Sequence, residues 1–358
     1  MASLLNRLVC DPLTQKKLRR FTHIRRGYWS FLALVFLALL ACAAELLVHN
    51  RALVVRYEGE WFFPTYGAIH TGREFGLNYD YEVKYRELRD HFRAEGRGNW
   101  VLLPPVPFSA TENCYPGEIF RPRAPDWKKG HYLGTDQINR DILARLLYGF
   151  RNALIFAACF IGLTYVIGIT LGCLMGYFGG WFDLLVQRII EVWSNIPFLF
   201  VVIIVASVIP AGIGMNLWIL LGIVVLFSWT SMTYYMRSVT YREKARDYVH
   251  AAQVLGAGTG RIIFRHIMPN ILSTIVTFIP FTVSGAISAL TALDFLGFGL
   301  PPPTPSWGEL LRQGTSNLNA PWIVASAFIA LTVVLTLVTF VGEAIREAFD
   351  PKKFTTYQ

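Results

Sequence analysis

The sequence predicts an all-α membrane protein: a bundle of six transmembrane helices with a large insertion after the first. Three observations carry that expectation. Of the 358 residues, 54% are hydrophobic and only 16% are charged, against about 25% charged in an ordinary soluble domain. The apolar residues gather into six runs near the length that crosses a hydrocarbon core, about 20 residues at 1.5 Å rise. The basic residues gather into three segments that six crossings place on one side of the membrane.

The apolar runs are 28–48, 153–178, 189–209, 217–236, 271–295 and 322–342. Glu191, Asn195 and Pro197 interrupt the third. Pro197 has no N–H to give the helix, so a kink or break is expected there. Arg188 and Glu191, spaced i, i+3, form a structural ion pair near the end of that run.

Arg7, Lys16, Lys17, Arg19, Arg20, Arg25 and Arg26 precede the first run and are opposed only by Asp11. Arg237, Arg242, Lys244, Arg246, Arg261 and Arg265 lie between the fourth and fifth, and Lys352 and Lys353 follow the sixth. The positive-inside rule makes this shared side cytoplasmic, with both termini. The net charge of +9 therefore reads as topology. No segment resembles a folded basic module, and nucleic acid is not expected as a partner. Residues 39–45, "LLACAAE", resemble a cleavage junction, but the apolar run continues past Cys42, so a retained anchor is expected.

Cys42, Cys159 and Cys173 lie in apolar runs and Cys10 in the basic leader, which leaves Cys114 alone outside and no structural disulfide. No histidine or cysteine grouping has metal-ligand spacing.

These readings divide the chain into a basic N-terminus (1–27), the first span (28–48), a periplasmic insertion (49–132), a core with five spans (133–343) and a C-terminal tail (344–358). In the insertion, "EVKYRELRDHFRAEG" predicts a short helix with Tyr81, Tyr85, Leu88 and Phe92 on one face. "LLPPVPF" and "RPRAPDW" are proline-stiffened connectors. A small subdomain or a wrapped loop follows; a poorly ordered segment is the alternative, because candidate core residues are few. In "LGTDQINRDILARLLYGFR", Ile138, Ile142 and Leu146 recur at i, i+4 and i+8, and Asp141 and Arg145 are spaced for an ion pair. That pattern predicts an amphipathic helix at the membrane surface, leading into the second span.

Gly168, Gly172 and Gly176 share one face of the second run and predict close helix packing. Ser194, Asn195, Pro197, Ser228, Ser231 and Thr291 are candidates to line a translocation path, with helix–helix hydrogen bonding as the alternative role. Asp294 is expected to cap or pair.

The stretch "DYVHAAQVLGAGTGRIIFRHIMPN" contains Gly256, Gly258 and Gly260. A phosphate-binding loop needs a strand before it and GK[ST] after it. Here strong helix formers precede, with Tyr248, Ala251, Ala252 and Leu255 along one face, and Arg261 follows. Helix, tight turn, helix is the expected structure: Gly256 ends the first helix, Gly258 and Gly260 permit the reversal, and Pro269 opens the fifth span. Ala251 and Ala252 would leave a smooth face against another protein. The whole loop, 237–270, is thereby suited to carry a partner's motion into the membrane.

The spacing of Ala251, Ala252, Gly256 and Pro269 resembles the cytoplasmic EAA loop of ABC-importer permeases, with His250 where the motif has glutamate. "LGTDQINRDILARLLYGFR" is similar to the oligopeptide branch of that family, with Asn139 where glycine is usual; asparagine also tolerates the left-handed conformation. "VRYEGEWFFPTYG", "LDFLGFGLPPPTPSWGELL", "NLNAPW" and "GEAIREAFDPKKF" resemble YejE-type microcin C and oligopeptide permeases. The resemblance implies a type I ABC-importer permease fold in a bacterial inner membrane and import of oligopeptides or peptide-like compounds, with microcin C as one candidate. It implies a second permease subunit (YejB-like), a cytoplasmic ATPase (YejF-like) that binds the ATP and magnesium, and a periplasmic solute-binding protein (YejA-like). No cofactor is implied for this chain. It further implies an ATPase-coupling role for Asp247, Tyr248, His250, Ala251, Ala252, Leu255, Gly256, Arg261 and Pro269.

Two other classes are weighed on the residues. An ion-coupled transporter or channel would want titratable groups near the membrane centre, whereas Glu191 and Asp294 lie near span ends. An intramembrane enzyme would want HExxH or a nucleophile with its base, and neither pattern is evident.

Overall fold

The computed structural model describes residues 12–349, apart from 211 and 213. Arg7, Cys10, Asp11, Lys352 and Lys353 lie outside the described residues. Helix α1 (Pro12–His23) carries the basic leader and breaks at Ile24 into α2 (Arg25–Cys42), the first span. A single further turn, Ala44–Leu47, leads into the insertion.

The insertion is ordered and is not purely helical, which corrects the all-α expectation. Strands β1 (Val54–Tyr57) and β2 (Glu60–Phe62), the helix α3 (Tyr85–Glu95) and strand β3 (Trp100–Leu102) form a small α+β subdomain, its antiparallel sheet ordered β2-β1-β3. β-branched and aromatic residues favour such pleated, half-buried positions. Val55 is fully buried and packs with Ala52, Phe75 and Val83 beneath α3. Tyr85, Leu88 and Phe92 face this core as the periodicity predicts. Tyr81 does not: it precedes the helix and stacks on Tyr79 at 4.1 Å.

The next helix, α4 (Ile142–Phe178), joins the expected surface helix and the second span into one 37-residue element. Residues 133–141 are not helical, and Ile138 stands outside the helix. Asn139 sits at φ +61° in the turn. The Asp141–Arg145 pair is not made. Asp141 caps α4 by accepting from the Ala144 N–H at 2.9 Å and meets His131 Nδ1 at 2.8 Å. A cap must turn its oxygens back onto the first helical turn, so Arg145 pairs instead with Glu309.

The third apolar run breaks where Pro197 stands. Helices α5 (Gly180–Ser194) and α6 (Phe198–Val208) meet at 70°, beside five helices that are each long and apolar enough to cross a membrane. Helix α7 (Leu217–Lys244) starts at Asn216, whose side chain accepts from the Trp218 and Ile219 N–H groups. A short exposed helix, α8 (Asp247–Val254), follows. A turn at Thr259–Arg261 and a π-helical stretch, Ile262–Ile267, run into α9 (Met268–Leu296). Helix α10 (Trp307–Ser316), which the sequence reading did not anticipate, precedes α11 (Pro321–Phe349).

Helices α4 and α7 make the most extensive helix–helix contact. A Cβ at Gly168, Gly172 or Gly176 would come within 2.7, 2.5 or 2.6 Å of α7, so these three positions let the two backbones approach. The main core lies where α4, α7, α9 and α11 meet, around Phe156, Leu220, Ile287 and Val338. A smaller core at the other end of the bundle holds Met236, Val249, Ile263 and Ile267.

Candidate coupling helix and translocation cavity

Helix α8 follows α7 after a two-residue break at Ala245 and Arg246. Asp247 in its first turn suits the positive end of the helix dipole. Arg246 Nε lies 3.0 Å from Glu243 Oε1, and the Tyr248 hydroxyl donates to Glu243 Oε2 at 2.9 Å, so α8 is held to the end of α7. Val249 and Ala252, at i, i+3, share the inner face and pack in the cluster with Ile262, Ile263 and Ile267.

This placement corrects the expected smooth outer face. Ala252 is 7% exposed and is a packing residue. The outer surface comprises Asp247, His250, Ala251, Gln253, Val254 and the following Leu255, with Val254 88% and Leu255 86% exposed. Two large apolar side chains in open solvent at a helix end are the conspicuous feature of this face. Gly256, at φ +76°, makes the reversal alone. Gly258 has φ −69°, and Gly260 lies within the following helical turn. Arg261 is exposed, and Pro269 occupies the second position of α9. Val249 and Ala252 thereby pack α8 onto the π-helical stretch that runs into α9.

Between α4, α7 and α9 lies an open cavity of about 530 Å³. Its polar lining is Thr164, Tyr165, Ser228, Ser231, Tyr235 and Thr282, and no charged residue contributes. The Tyr165 hydroxyl and Thr282 Oγ1 are 2.8 Å apart and tie α4 to α9 across it. The rings of Tyr235 and Phe278 meet at 4.4 Å and tie α7 to α9.

Of the path candidates, Ser228 and Ser231 line this cavity. The other four do not. Thr291 is buried and donates to the Ile287 carbonyl at 2.8 Å. Ser194, Asn195 and Pro197 lie at the exposed α5–α6 break, where the Asn195 amide donates to the Glu191 carbonyl at 2.8 Å. Arg188 and Glu191 pair at 2.5 Å as their spacing suggests. Thr164, Tyr165, Tyr235 and Thr282 were missed, although each is a hydroxyl residue inside an apolar run. Arg237 binds Asp183 through two contacts of 2.5 Å, a pair 54 residues apart that leaves no local signal.

At the opposite end of α4, four charged residues form a buried cluster. Arg140 meets Asp136 and Glu309, and Arg145 meets Glu309 with Asp136 at 3.6 Å. Nearby, Asp294 accepts from the Leu300 N–H at 2.6 Å and so caps the turn after α9. Among the described residues, no group of three or more His, Cys, Asp or Glu is placed to hold a metal.

A bundle that crosses the membrane several times, an uncharged cavity between three of its helices and an exposed helix joined to two of them define a membrane transport permease. The family described as "Binding-protein-dependent transport system inner membrane component" matches residues 168–355, more than half of the chain, and the chain belongs to it. It is 42% identical over 343 residues to the inner membrane ABC transporter permease protein YejE of Escherichia coli (strain K12), covering 96% of this chain and 98% of that one. It is 37% identical to the peptidoglycan transport system permease protein YejE of Agrobacterium fabrum, covering 96% and 94%. The oligopeptide transport system permease protein OppC of Lactococcus lactis is 35% identical, covering 63% of this chain and 77% of that one. This chain is accordingly a multi-pass inner-membrane permease subunit of an ATP-binding-cassette importer, not an enzyme.

Proposed function

We propose that the chain imports oligopeptides or peptide-like compounds, microcin C and peptidoglycan-derived peptides among the candidates, and that α8 is the contact through which a partner ATPase drives it. The single observation that carries this reading is the outer face of α8, with Val254 and Leu255 almost wholly exposed while Val249 and Ala252 anchor the helix to α9. Exposed apolar side chains on a short, firmly seated helix are suited to a protein groove. ATP and magnesium belong to that partner. Closure of the ATPase pair pulls α8, α9 follows, and the cavity changes the side to which it opens; only a partner with different affinity for the two states drives such a switch.

The insertion is read as periplasmic and α8 with both termini as cytoplasmic. The pairing of Arg26 with Glu343 at 3.3 Å, which brings the start of α2 to the end of α11, supports placing both termini on one side. A second permease subunit would close the open side of the cavity, and a periplasmic binding protein would deliver substrate. From the likeness to relatives named YejE, the specific partners proposed are a YejB-like permease, a YejF-like ATPase and a YejA-like binding protein.

The test is a cysteine at Val254, cross-linked in membranes to the candidate ATPase with and without ATP. A specific cross-link whose yield changes with ATP is expected. Its absence, with both proteins stably expressed, together with uptake by this chain alone under a proton gradient, would replace this reading with an ion-coupled carrier.

A further inference from the structure

The stretch from residue 12 to 26 contains six cations, Lys16, Lys17, Arg19, Arg20, Arg25 and Arg26, and no acid. The structure divides them by role. Lys17 Nζ lies 5.0 Å over the Phe349 ring, and Arg26 pairs with Glu343, so these two fasten the leader to the end of α11. Lys16, Arg19 and Arg25 are exposed, and no carboxylate among the described residues pairs with them.

Helix α1 does not continue the axis of the first span. The rings of Phe21 and Phe31 meet at 5.9 Å although ten residues separate them, which in a straight helix is about 15 Å of rise. Ile24, at φ −80° and ψ 86°, supplies the bend. A helix turned off the axis of a transmembrane helix, immediately before that helix begins, has the geometry of a segment that lies along a membrane surface. Trp29, one turn into α2, is 66% exposed, and tryptophan is enriched at membrane–water interfaces.

We infer that the outer face of α1 and the α1–α2 corner, with Lys16, Arg19 and Arg25, is a binding surface for anionic lipid headgroups of the membrane into which α2 inserts. Charge complementarity and continuity with the first span select lipid as the occupant. Phosphate-bearing headgroups accept from the three cations while Trp29 occupies the boundary between headgroup and chain. Because Lys17 and Arg26 tie the same segment to α11, a bound headgroup also holds α11 in place.

The experiment uses the full chain in nanodiscs of phosphatidylcholine mixed with phosphatidylglycerol, with the lipid retained on gentle extraction quantified by mass spectrometry. The native chain is expected to retain phosphatidylglycerol in preference to phosphatidylcholine, less so as salt is raised. The variant K16Q/R19Q/R25Q should lose that preference, by about fivefold for each cation removed at the surface, while K16R/R19K/R25K keeps it. Native protein without preference, or a triple glutamine variant with undiminished preference, overturns the inference. Displacement of the lipid by free glycerol phosphate also overturns it, since the surface would then read a phosphate group and not a membrane. A triple variant that keeps its lipid but loses a co-purifying protein would make the face a protein dock instead.

Discussion

Arg140 Nη2 lies 2.8 Å from Glu309 Oε1, a contact between the turn before α4 and the first turn of α10 that spans 169 residues of sequence. Glu309 also serves Arg145 and accepts from Gln313 Nε2 at 2.8 Å. All three partners and Asp136 are buried. Trp307 reinforces the junction: its Nε1–H donates to the Leu146 carbonyl at 2.9 Å, and its ring stacks on Phe150. The start of α4 and helix α10 therefore behave as one block at that end of the bundle.

Replacing Glu309 with glutamine leaves two buried guanidinium groups to share Asp136. Removing one partner of a buried pair costs about 3–5 kcal/mol, because the remaining charge is stranded. A large drop in thermal midpoint in detergent is expected for E309Q. The exposed Arg188–Glu191 pair is the control: R188A should change the midpoint little, since surface pairs contribute about 0–1 kcal/mol.

Gly172 faces the Thr233 carbonyl, which a Cβ would meet at 2.5 Å. Gly172→Ala should push α4 from α7 and destabilise the bundle by about 1–3 kcal/mol, the usual range for overpacking. Gly162, on the same helix, has open space within 4 Å. There alanine should be neutral or stabilising by roughly 0.5–1 kcal/mol. The same thermal assay compares the two, and equal effects would contradict the close contact.

Leu255→Asp alters a side chain that is 86% exposed, so the fold and its midpoint should stay as they were. Peptide uptake, and stimulation of the partner ATPase by substrate, should fall sharply. Ala252→Leu should do the reverse at first, lowering stability through the packed face beneath α8. Measured together, uptake and stability separate a docking surface from a packing one.

Tyr165→Phe removes one side of the hydrogen bond that joins α4 to α9 across the cavity. A modest loss of about 0.5–1.5 kcal/mol is expected for the state that holds this bond. Uptake assays combined with accessibility of a cysteine at Ser231 should show a shifted balance between the cavity's two openings. Unchanged accessibility would make the bond incidental.

The sequence by itself determined five of the crossings, the break at Pro197, the close approach along the small-residue stripe of α4 and the turn at Gly256. Each depends on a local property: run length against membrane thickness, a missing N–H, a repeat that keeps one helix face, or a φ that glycine tolerates. It also held enough of the family's local patterns, around Ala251–Gly256 and residues 133–151, to suggest the class of transporter. Local patterns failed where a residue's partner came from far away. Asp141 and Arg145 have the spacing of a helical pair, yet the cap and Glu309 claim them separately. Ala252 looks like part of a smooth outer face, but only its neighbours Ile262, Ile263 and Ile267 decide that it points inward. The cavity is the clearest case, because the hydroxyls of Thr164, Ser228 and Thr282 come from three helices and meet only when those helices pack. Helix periodicity fixes which residues share a face; which face meets which neighbour is set by the packing of the whole bundle.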